Sequence, residues 1–415
     1  MTAAPPLGAL VRAGEKQTEA VAIRDGLLMV RDLSNAYLLC TADGDLMVNT
    51  GFMDSAERNA ALLAPHRRGP LRRIILTQSH ADHFGGVPAL REPGTEIIAG
   101  QGFTENARDM LDLMPFFGPR TRRIWGALIQ RRSAAGGAPL MPPVIVPDRL
   151  VAGRHDFEQG GRKFALLATP DGETTDSISV WLPEDGIIFT GNLFGPMFRS
   201  MPFLNTLRGD KPRSVRSYLA SLATVRALDP DLLITGHGDP ILGAARIRAD
   251  LDRMHDAVAF ARDETLAGMK AGKDMHRLMR EIRLPEALAI GEFHGNVRWA
   301  VKTIWHEYAG WFQQESTTEL YGVPRCAISA DLVALAGGPD PLVTRAGERL
   351  AADEPLEAIH LLEIALAAVP GHRGALLAMK AAHEALLTAS GGTNLSEAGW
   401  LGTSIAAIDT QLADS

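Results

Sequence analysis

The run Arg73-Ile74-Ile75-Leu76-Thr77 passes without a break into Gln78-Ser79-His80-Ala81-Asp82-His83-Phe84-Gly85-Gly86. A short apolar run bounded by polar residues reads as a buried strand, so the His/Asp cluster stands at a strand's C-terminal end. Two imidazoles and a carboxylate within four residues can be aimed at one cation, and the paired glycines let the backbone turn sharply around it. Such a cluster needs further donors, and three later segments end strands in the same way. They are Glu173-Thr174-Thr175-Asp176-Ser177 after Thr169-Pro170, Asn192 after Phe189-Thr190-Gly191, and His237 between Gly236 and Gly238. A lone loop histidine is usually a hydrogen-bonding residue. A His-x-Asp-His cluster with a distant Gly-His-Gly is the pattern of a metal centre.

The surrounding chain supports a fold that gathers strand ends. Val21–Ile23, Leu27–Val30, Ala36–Cys40 and Leu46–Val48 are apolar runs separated by Gly and Asp turns, the pattern of a β-meander. A helix is expected over 55–63, entered by a Ser55 cap. Ile97–Ala99, Val144–Val146, Phe164–Leu167, Ile178–Leu182, Ile187–Thr190 and Leu232–Thr235 read as further strands, with a helix over 215–228 between the last two. Residues 102–142 carry Met and Phe at no strand period, and are expected as helices broken at Gly118-Pro119. Strand–helix alternation in two halves implies an αββα sandwich. From about Ala245 onward the apolar spacing is helical, with helices expected near 249–271, 297–312, 328–336, 341–351, 355–368 and 372–388. The expected division is therefore 1–245 as the metal-binding domain, 246–324 as a helical connector that completes it, and 325–415 as an all-α domain.

Composition limits the functions available. Hydrophobic residues make up 46% and charged residues 22% of the 415, with a net charge of −7. That is an ordinary globular balance without a broad basic surface, so nucleic acid is not expected as a partner. Two cysteines, Cys40 and Cys326, provide no disulfide framework. The first residues lack a basic-then-apolar signal pattern, and the apolar stretch 358–369 is interrupted by His360 and Glu363. The expectation is a cytoplasmic protein that does not use a membrane.

The order of these motifs resembles the metallo-β-lactamase superfamily, whose first motif is Thr-His-x-His-x-Asp-His-x-Gly-Gly. Here it reads Thr77-Gln78-Ser79-His80-Ala81-Asp82-His83-Phe84-Gly85-Gly86. Within the superfamily the chain looks most like the alkylsulfatase branch. That branch has Glu in the third motif, as at Glu173, and a Thr-Leu-Arg-Gly segment, found as Thr206 to Gly209. It also has an Asn-Val-Arg helix ending in Gly-Trp-Phe, matched by Asn296 to Arg298 and Gly310 to Phe312. The resemblance implies metal ligands His80 and Glu173 at one position and Asp82, His83 and His237 at another. It also implies Asp82, Arg208 and His294 as catalytic candidates, and a C-terminal domain that dimerises. Arg208 is the candidate grip on an anion. His294 is the candidate acid for a leaving oxygen, with a structural helix-start histidine as the alternative. Asp176 is expected to support a ligand or cap the next strand.

Two departures weaken the first position. Gln78 stands where the family has histidine, and Asn192 where it has the carboxylate that bridges two metals. A neutral carboxamide is a poor zinc ligand beside imidazole or carboxylate, so the second position is expected to be the better occupied. Phe203 also stands where alkylsulfatases have an Asn that helps hold sulfate. The expected cofactor is Zn2+, one or two ions, with Fe or Mn compatible with the same donors. The expected function is metal-dependent hydrolysis, by a metal-activated water, of an ester or ether-like bond of an apolar, possibly anionic, small molecule, with a sulfate ester first. Met197, Phe198, Met201, Phe203 and Leu204, with Met110, Met114, Phe116 and Phe117, either form an apolar channel for it or fill core. Two other readings stand open: a non-haem iron oxidoreductase using Asp82, His83 and His237, and a degenerate subunit that binds ligand or pairs with an active homologue. The partner expected is a second copy of the chain or a homologue.

Overall fold

The computed structural model describes residues 7–10, 12–133 and 141–414. Its contacts divide the chain into one unit of 1–118 with 131–308 and another of 119–130 with 309–415. The stretch 246–324 is thus divided at 308/309.

The first unit is built on two sheets. One has the order β1 (Val21–Arg24), β2 (Leu27–Val30), β3 (Ala36–Thr41), β4 (Gly44–Val48), β5 (Leu71–Ile75), β6 (Glu96–Gly100) and β7 (Arg149–Val151). The other runs β13 (Ile241–Leu242), β12 (Leu232–Thr235), β11 (Ile187–Gly191), β10 (Ile178–Leu182), β9 (Arg162–Ala168), β8 (Arg154–Gln159). The first four strands form an antiparallel meander, after which β4 to β7 pair in parallel. Parallel pairing aligns strand ends on one edge, and this is what brings the Asn49 turn and the His80 loop side by side.

Three apolar cores define the layers. Leu39, Val48, Ile75, Phe164, Val180 and Phe189 come from both sheets and fill the space between them. Leu63, Phe84, Val87 and Phe103 cover the outer face of the first sheet. Helices over Val215–Ala227, Ala244–Lys270 and Val297–Ala309 cover the outer face of the second. This is the αββα sandwich expected from the sequence. Burial of apolar area at roughly 25 cal/mol per Å² is its main stabilising term.

Several local expectations are corrected. Val144–Val146 is not a strand: Pro142, Pro143 and Pro147 flank it without N–H donors for a ladder, and Val144 and Val146 are exposed. β8 is a strand despite its charged composition, because it is an edge strand whose polar side chains face out. The helix Met114–Ser133 continues through Gly118-Pro119 rather than breaking there. Pro119 is the sixth residue of this helix, past its first turn, so its ring takes the place of an N–H that would have bonded the Pro115 carbonyl. Ser55 does not cap Ala56–Leu63; its hydroxyl donates to Asp54 at 3.0 Å.

The second unit is helical, with Ser329–Leu335, Asp340–Ala351, Pro355–Ala368, Arg373–Ala389 and Leu395–Asp414. Ala346, Ala358, Leu362, Ala365, Leu376 and Met379 form its core, where small Ala faces let the helices approach closely. Among the described residues no single helix is long and apolar enough to cross a membrane.

Candidate metal centre

Every donor named from the sequence lies at one edge of the sandwich. His80, Asp82 and His83 follow β5, Glu173 lies between β9 and β10, Asn192 follows β11 and His237 follows β12. Glycines make the approach possible. A side chain at Gly86 would come 2.4 Å from the Thr50 carbonyl oxygen, and one at Gly236 would come 2.1 Å from Asn192 Oδ1 and 2.9 Å from His83 Cε1. Gly85 and Gly86 themselves have ordinary right-handed backbone angles, with φ of −59° and −82°, so they serve as close-contact positions rather than as the sharp turn expected from the sequence.

The site has two halves. In one, donor atoms of Asp82, His83 and His237 lie within 4.8 Å of one another, the group that could hold a metal ion among the described residues. His83 Nε2 is 3.7 Å and His237 Nε2 3.9 Å from Asp82 Oδ2. Two imidazoles and a carboxylate so gathered are a fitting donor set for a divalent cation. His83 is held from behind by Asn49 Nδ2 at 3.0 Å from its Nδ1. Burial pushes the His83 imidazole down to about 4, outweighing the opposing pull of Asp82. Burial also works against the charged form of Asp82, but His83, His237 and His80 hold its carboxyl below the ordinary value.

The other half is closed by its own side chains. Glu173 Oε2 accepts from Gln78 Nε2 at 2.9 Å and from Asn192 Nδ2 at 2.5 Å. The two residues that depart from the family pattern therefore hydrogen-bond the remaining carboxylate. His80 lies between two acids, with Nδ1 3.5 Å from Glu173 Oε2 and Nε2 3.3 Å from Asp210 Oδ2. Burial opposes its protonation, but Asp210 and Glu173 outweigh that and raise the His80 imidazole to about 9. Arg208 Nη2 sits 3.1 Å from His80 Nε2 and 3.7 Å from Asp210 Oδ2. The guanidinium is therefore directed at the site, with one acid of the chain already beside it. His294 Nε2 is 4.0 Å from Glu173 Oε1, and burial pushes that imidazole down to about 4. Asp176 accepts from Ser79 Oγ and Asn106 Nδ2, both at 2.8 Å, behind the His80 loop.

A cleft opens beside this half, lined by His80, Asp210 and Lys211 and by the apolar Met110, Leu113 and Phe117. The other apolar candidates do not line it. Met201 and Leu204 belong to the core over the second sheet, and Phe198 packs against that core. Phe203 is buried with its ring edge-on to His294 and stacked on Trp299. Four residues of the site carried no recognised signal in the sequence: Ser34, Asn49, Asp210 and Arg213. Asp210 and Arg213 closely follow Thr206 to Gly209, and proximity to that segment was the available clue. Ser34 and Asn49 lie in a turn and at a strand end, where such residues are common for other reasons.

The metallo-beta-lactamase superfamily pattern matches residues 29–237, about half of the chain and the stretch that holds all of these donors. The chain belongs to the metallo-beta-lactamase superfamily. The pattern for alkyl sulfatase dimerisation matches residues 274–396. A linear primary-alkylsulfatase of Pseudomonas sp. is 28% identical over 330 residues, covering 74% of this chain and 61% of the relative. The alkyl/aryl-sulfatase BDS1 of Saccharomyces cerevisiae is 24% identical, covering 78% of this chain and 54% of the relative. The structure of the stereoselective inverting sec-alkylsulfatase Pisa1 from Pseudomonas sp. matches with a TM-score of 0.81 at 20% identity, over 95% of this chain and 65% of that one. That likeness bears on the fold. The chain spans between about half and two thirds of the length of these relatives.

Proposed function

We propose that the chain is a metal-dependent hydrolase of sulfate esters carried on apolar alkyl groups, working with one cation. The convergence of Asp82, His83 and His237 carries this reading. A divalent cation held by these residues would supply Lewis acidity and lower the pKa of a water to near neutrality. The remaining residues do the rest. Arg208 offers a guanidinium suited to two oxygens of a sulfate group. Met110, Leu113 and Phe117 form an apolar wall for the alkyl chain, on which a Met-containing surface adapts to flexible ligands. His294, neutral at pH 7 and near Glu173, can donate a hydrogen bond to the departing ester oxygen. The relatives with alkylsulfatase names support the substrate class, and the hydrogen bonds from Gln78 and Asn192 to Glu173 support a single ion.

The test is release of inorganic sulfate from dodecyl sulfate and from 2-octyl sulfate by protein loaded with Zn2+, Mn2+ or Fe2+ in turn. Sulfate release that disappears in His83→Ala is the expected result. Oxygen uptake by the iron-loaded protein without sulfate release would replace this reading with an oxidoreductase using the same three residues. The matched dimerisation region supports a homodimer, and light scattering should give twice the 44.6 kDa chain mass.

A further inference from the structure

The helix Phe103–Asp112 turns one stripe toward the cleft beside His80. Asn106, Asp109, Met110, Leu113 and Phe117 all line that cleft, at the three- and four-residue steps of a single helical face. The spacing carries on past the helix end. The Leu113 amide donates to the Asp109 carbonyl at 3.0 Å, and the Phe117 amide to the Leu113 carbonyl at 2.9 Å. The stripe changes character along its length, from the polar Asn106 and Asp109 to the apolar Met110, Leu113 and Phe117. Its polar end is tied to the site. Asn106 Nδ2 donates to Thr175 Oγ1 at 3.0 Å and to Asp176 Oδ1 at 2.8 Å, and the same Asp176 oxygen accepts from Ser79, next to His80.

Apolar packing does little to fix this helix. Phe103 is the one buried residue among its ten, and Leu113 at its C-terminal end is 49% exposed. A second tie comes from Lys211. Its Nζ donates to Asn106 Oδ1 at 2.8 Å and lies 2.8 Å from Asp109 Oδ2, two partners one helical turn apart. The other end of Lys211 is anchored through its neighbour, since Asp210 accepts from Arg213 at 3.0 Å and lies 3.3 Å from His80. Lys211 thus spans from the loop that carries Arg208 and Asp210 to the helix that carries the apolar wall. Its charge is met by Asp109 and one of its N–H groups by Asn106, which commits the ammonium to the helix.

We propose that Lys211 is a positioning residue for chain-length selection: it holds the apolar stripe against the anion end of the site, so that a substrate with its sulfate at Arg208 lays its alkyl tail along Met110, Leu113 and Phe117. The inference rests on the sulfate-ester reading above and adds the residue that governs recognition of the chain. From Met110 to Phe117 the stripe extends at most roughly 10 Å, at about 1.5 Å per residue, close to the length of an extended octyl group. Each methylene removed from water there is worth about four-fold in affinity. A long tail therefore depends on where the helix is held. A short one reaches little beyond the polar end and does not.

The test is calorimetric titration of the full Zn2+-loaded chain with butanesulfonate and octanesulfonate, which carry anion and tail without an ester to cleave. Sulfate release from butyl and octyl sulfate is measured beside it. Wild type should bind octanesulfonate at least about ten-fold more tightly than butanesulfonate. Lys211→Met should lose about five-fold in octanesulfonate affinity, the weight of one partly exposed ion pair, and much less for butanesulfonate. Its KM for octyl sulfate should rise by more than kcat falls. Asp109→Asn, which weakens the tie from the helix side, should show the same pattern, and Lys211→Arg should restore wild-type selectivity. A Lys211 that touched the anion itself would behave differently. Lys211→Met would then weaken both sulfonates equally, and Asp109→Asn would free the ammonium and tighten both; either result overturns the proposal. Equal affinity of wild type for the two sulfonates overturns it as well, because the stripe would then hold no tail. Sulfonate affinities that follow the expected pattern without sulfate release from either ester would instead overturn the hydrolase reading and leave the role of Lys211 in place.

Discussion

Asn192 donates from Nδ2 to Glu173 Oε2 at 2.5 Å and sits with the same atom 3.0 Å from His237 Nε2. One carboxamide thereby joins the closed half of the centre to the half that can take a cation. Replacing it by a carboxylate of the same shape reverses the local electrostatics. Asn192→Asp sets two buried acids against each other, and like charges at this distance are strongly unfavourable unless something positive lies between them. The metal-free variant should melt several degrees lower than wild type, and excess Zn2+ should restore it. Zinc per chain should rise from one toward two by elemental analysis, more so when combined with Gln78→His. A variant that melts like wild type without metal would show that Asn192 is not holding Glu173.

Arg213 is 1% exposed yet charged, with Nη1 on the Phe203 carbonyl at 2.6 Å and Nη2 on Asp210 Oδ2 at 3.0 Å. A buried pair is a weak source of net stability, but breaking it leaves an uncompensated charge that costs roughly 3–5 kcal/mol. Asp210→Ala should therefore lower the unfolding free energy by about that amount in a denaturant titration. It should also loosen Arg208 and His80, both of which lean on the same carboxylate. Because Asp210 and Arg213 are directly paired, the double change Asp210→Ala with Arg213→Met should cost less than the sum of the single changes. Additive losses would mean that the pair is not what holds this loop.

The sandwich and the donor set were legible for related reasons. Strands such as Ile178–Leu182 are buried on both faces and read as unbroken apolar runs, and His80, Asp82, His83 and His237 sit where such runs stop. Residues that act through tertiary approach left no comparable trace. Ser34 is one turn serine among several until the fold sets it against His83 and Asp82. Arg213 drew no attention in the sequence, and its place is explained by its contacts with the Phe203 carbonyl and Asp210. The apolar cluster from Met197 to Leu204 was ambiguous because composition cannot distinguish a channel wall from a core. Helix packing over the second sheet decided for core at Met201 and Leu204. Gly118-Pro119 suggested a break because both residues disfavour helix interiors, yet the helix Met114–Ser133 runs through them.

The two thiols should differ in reactivity. Cys40 is buried in β3, and burial, helped by the nearby Asp45 carboxylate, pushes its thiol up to about 11. Cys326 is exposed. The thiolate is the nucleophile, so at pH 8 a disulfide reagent should label one thiol per folded chain quickly, and both after denaturation. Cys326→Ser should abolish the fast phase. Two fast-reacting thiols in the native protein would mean that the first sheet opens at β3 far more readily than its packing implies.

Gly236 tests how closely the two halves are fitted. An added methyl would lie 2.1 Å from Asn192 Oδ1 and 2.9 Å from His83 Cε1, well inside van der Waals contact. Neither neighbour is free to retreat, since Asn192 is tied to Glu173 and His83 is held by Asn49. Gly236→Ala should cost about 1–3 kcal/mol of stability, as overpacking does. Its larger effect should be on the cation, because the methyl pushes His83 away from Asp82 and His237. Co2+ affinity should fall by about 100-fold or more, given that disturbing residues that merely support metal ligands already costs about 10–100-fold. Gly238→Ala provides the comparison. That glycine has φ of +75°, so the variant is strained in its backbone but puts no atom against Asn192 or His83. It should lose stability to a similar degree while retaining more of the Co2+ affinity. Equal loss of affinity in both variants would attribute the effect to loop strain and remove the steric account of Gly236.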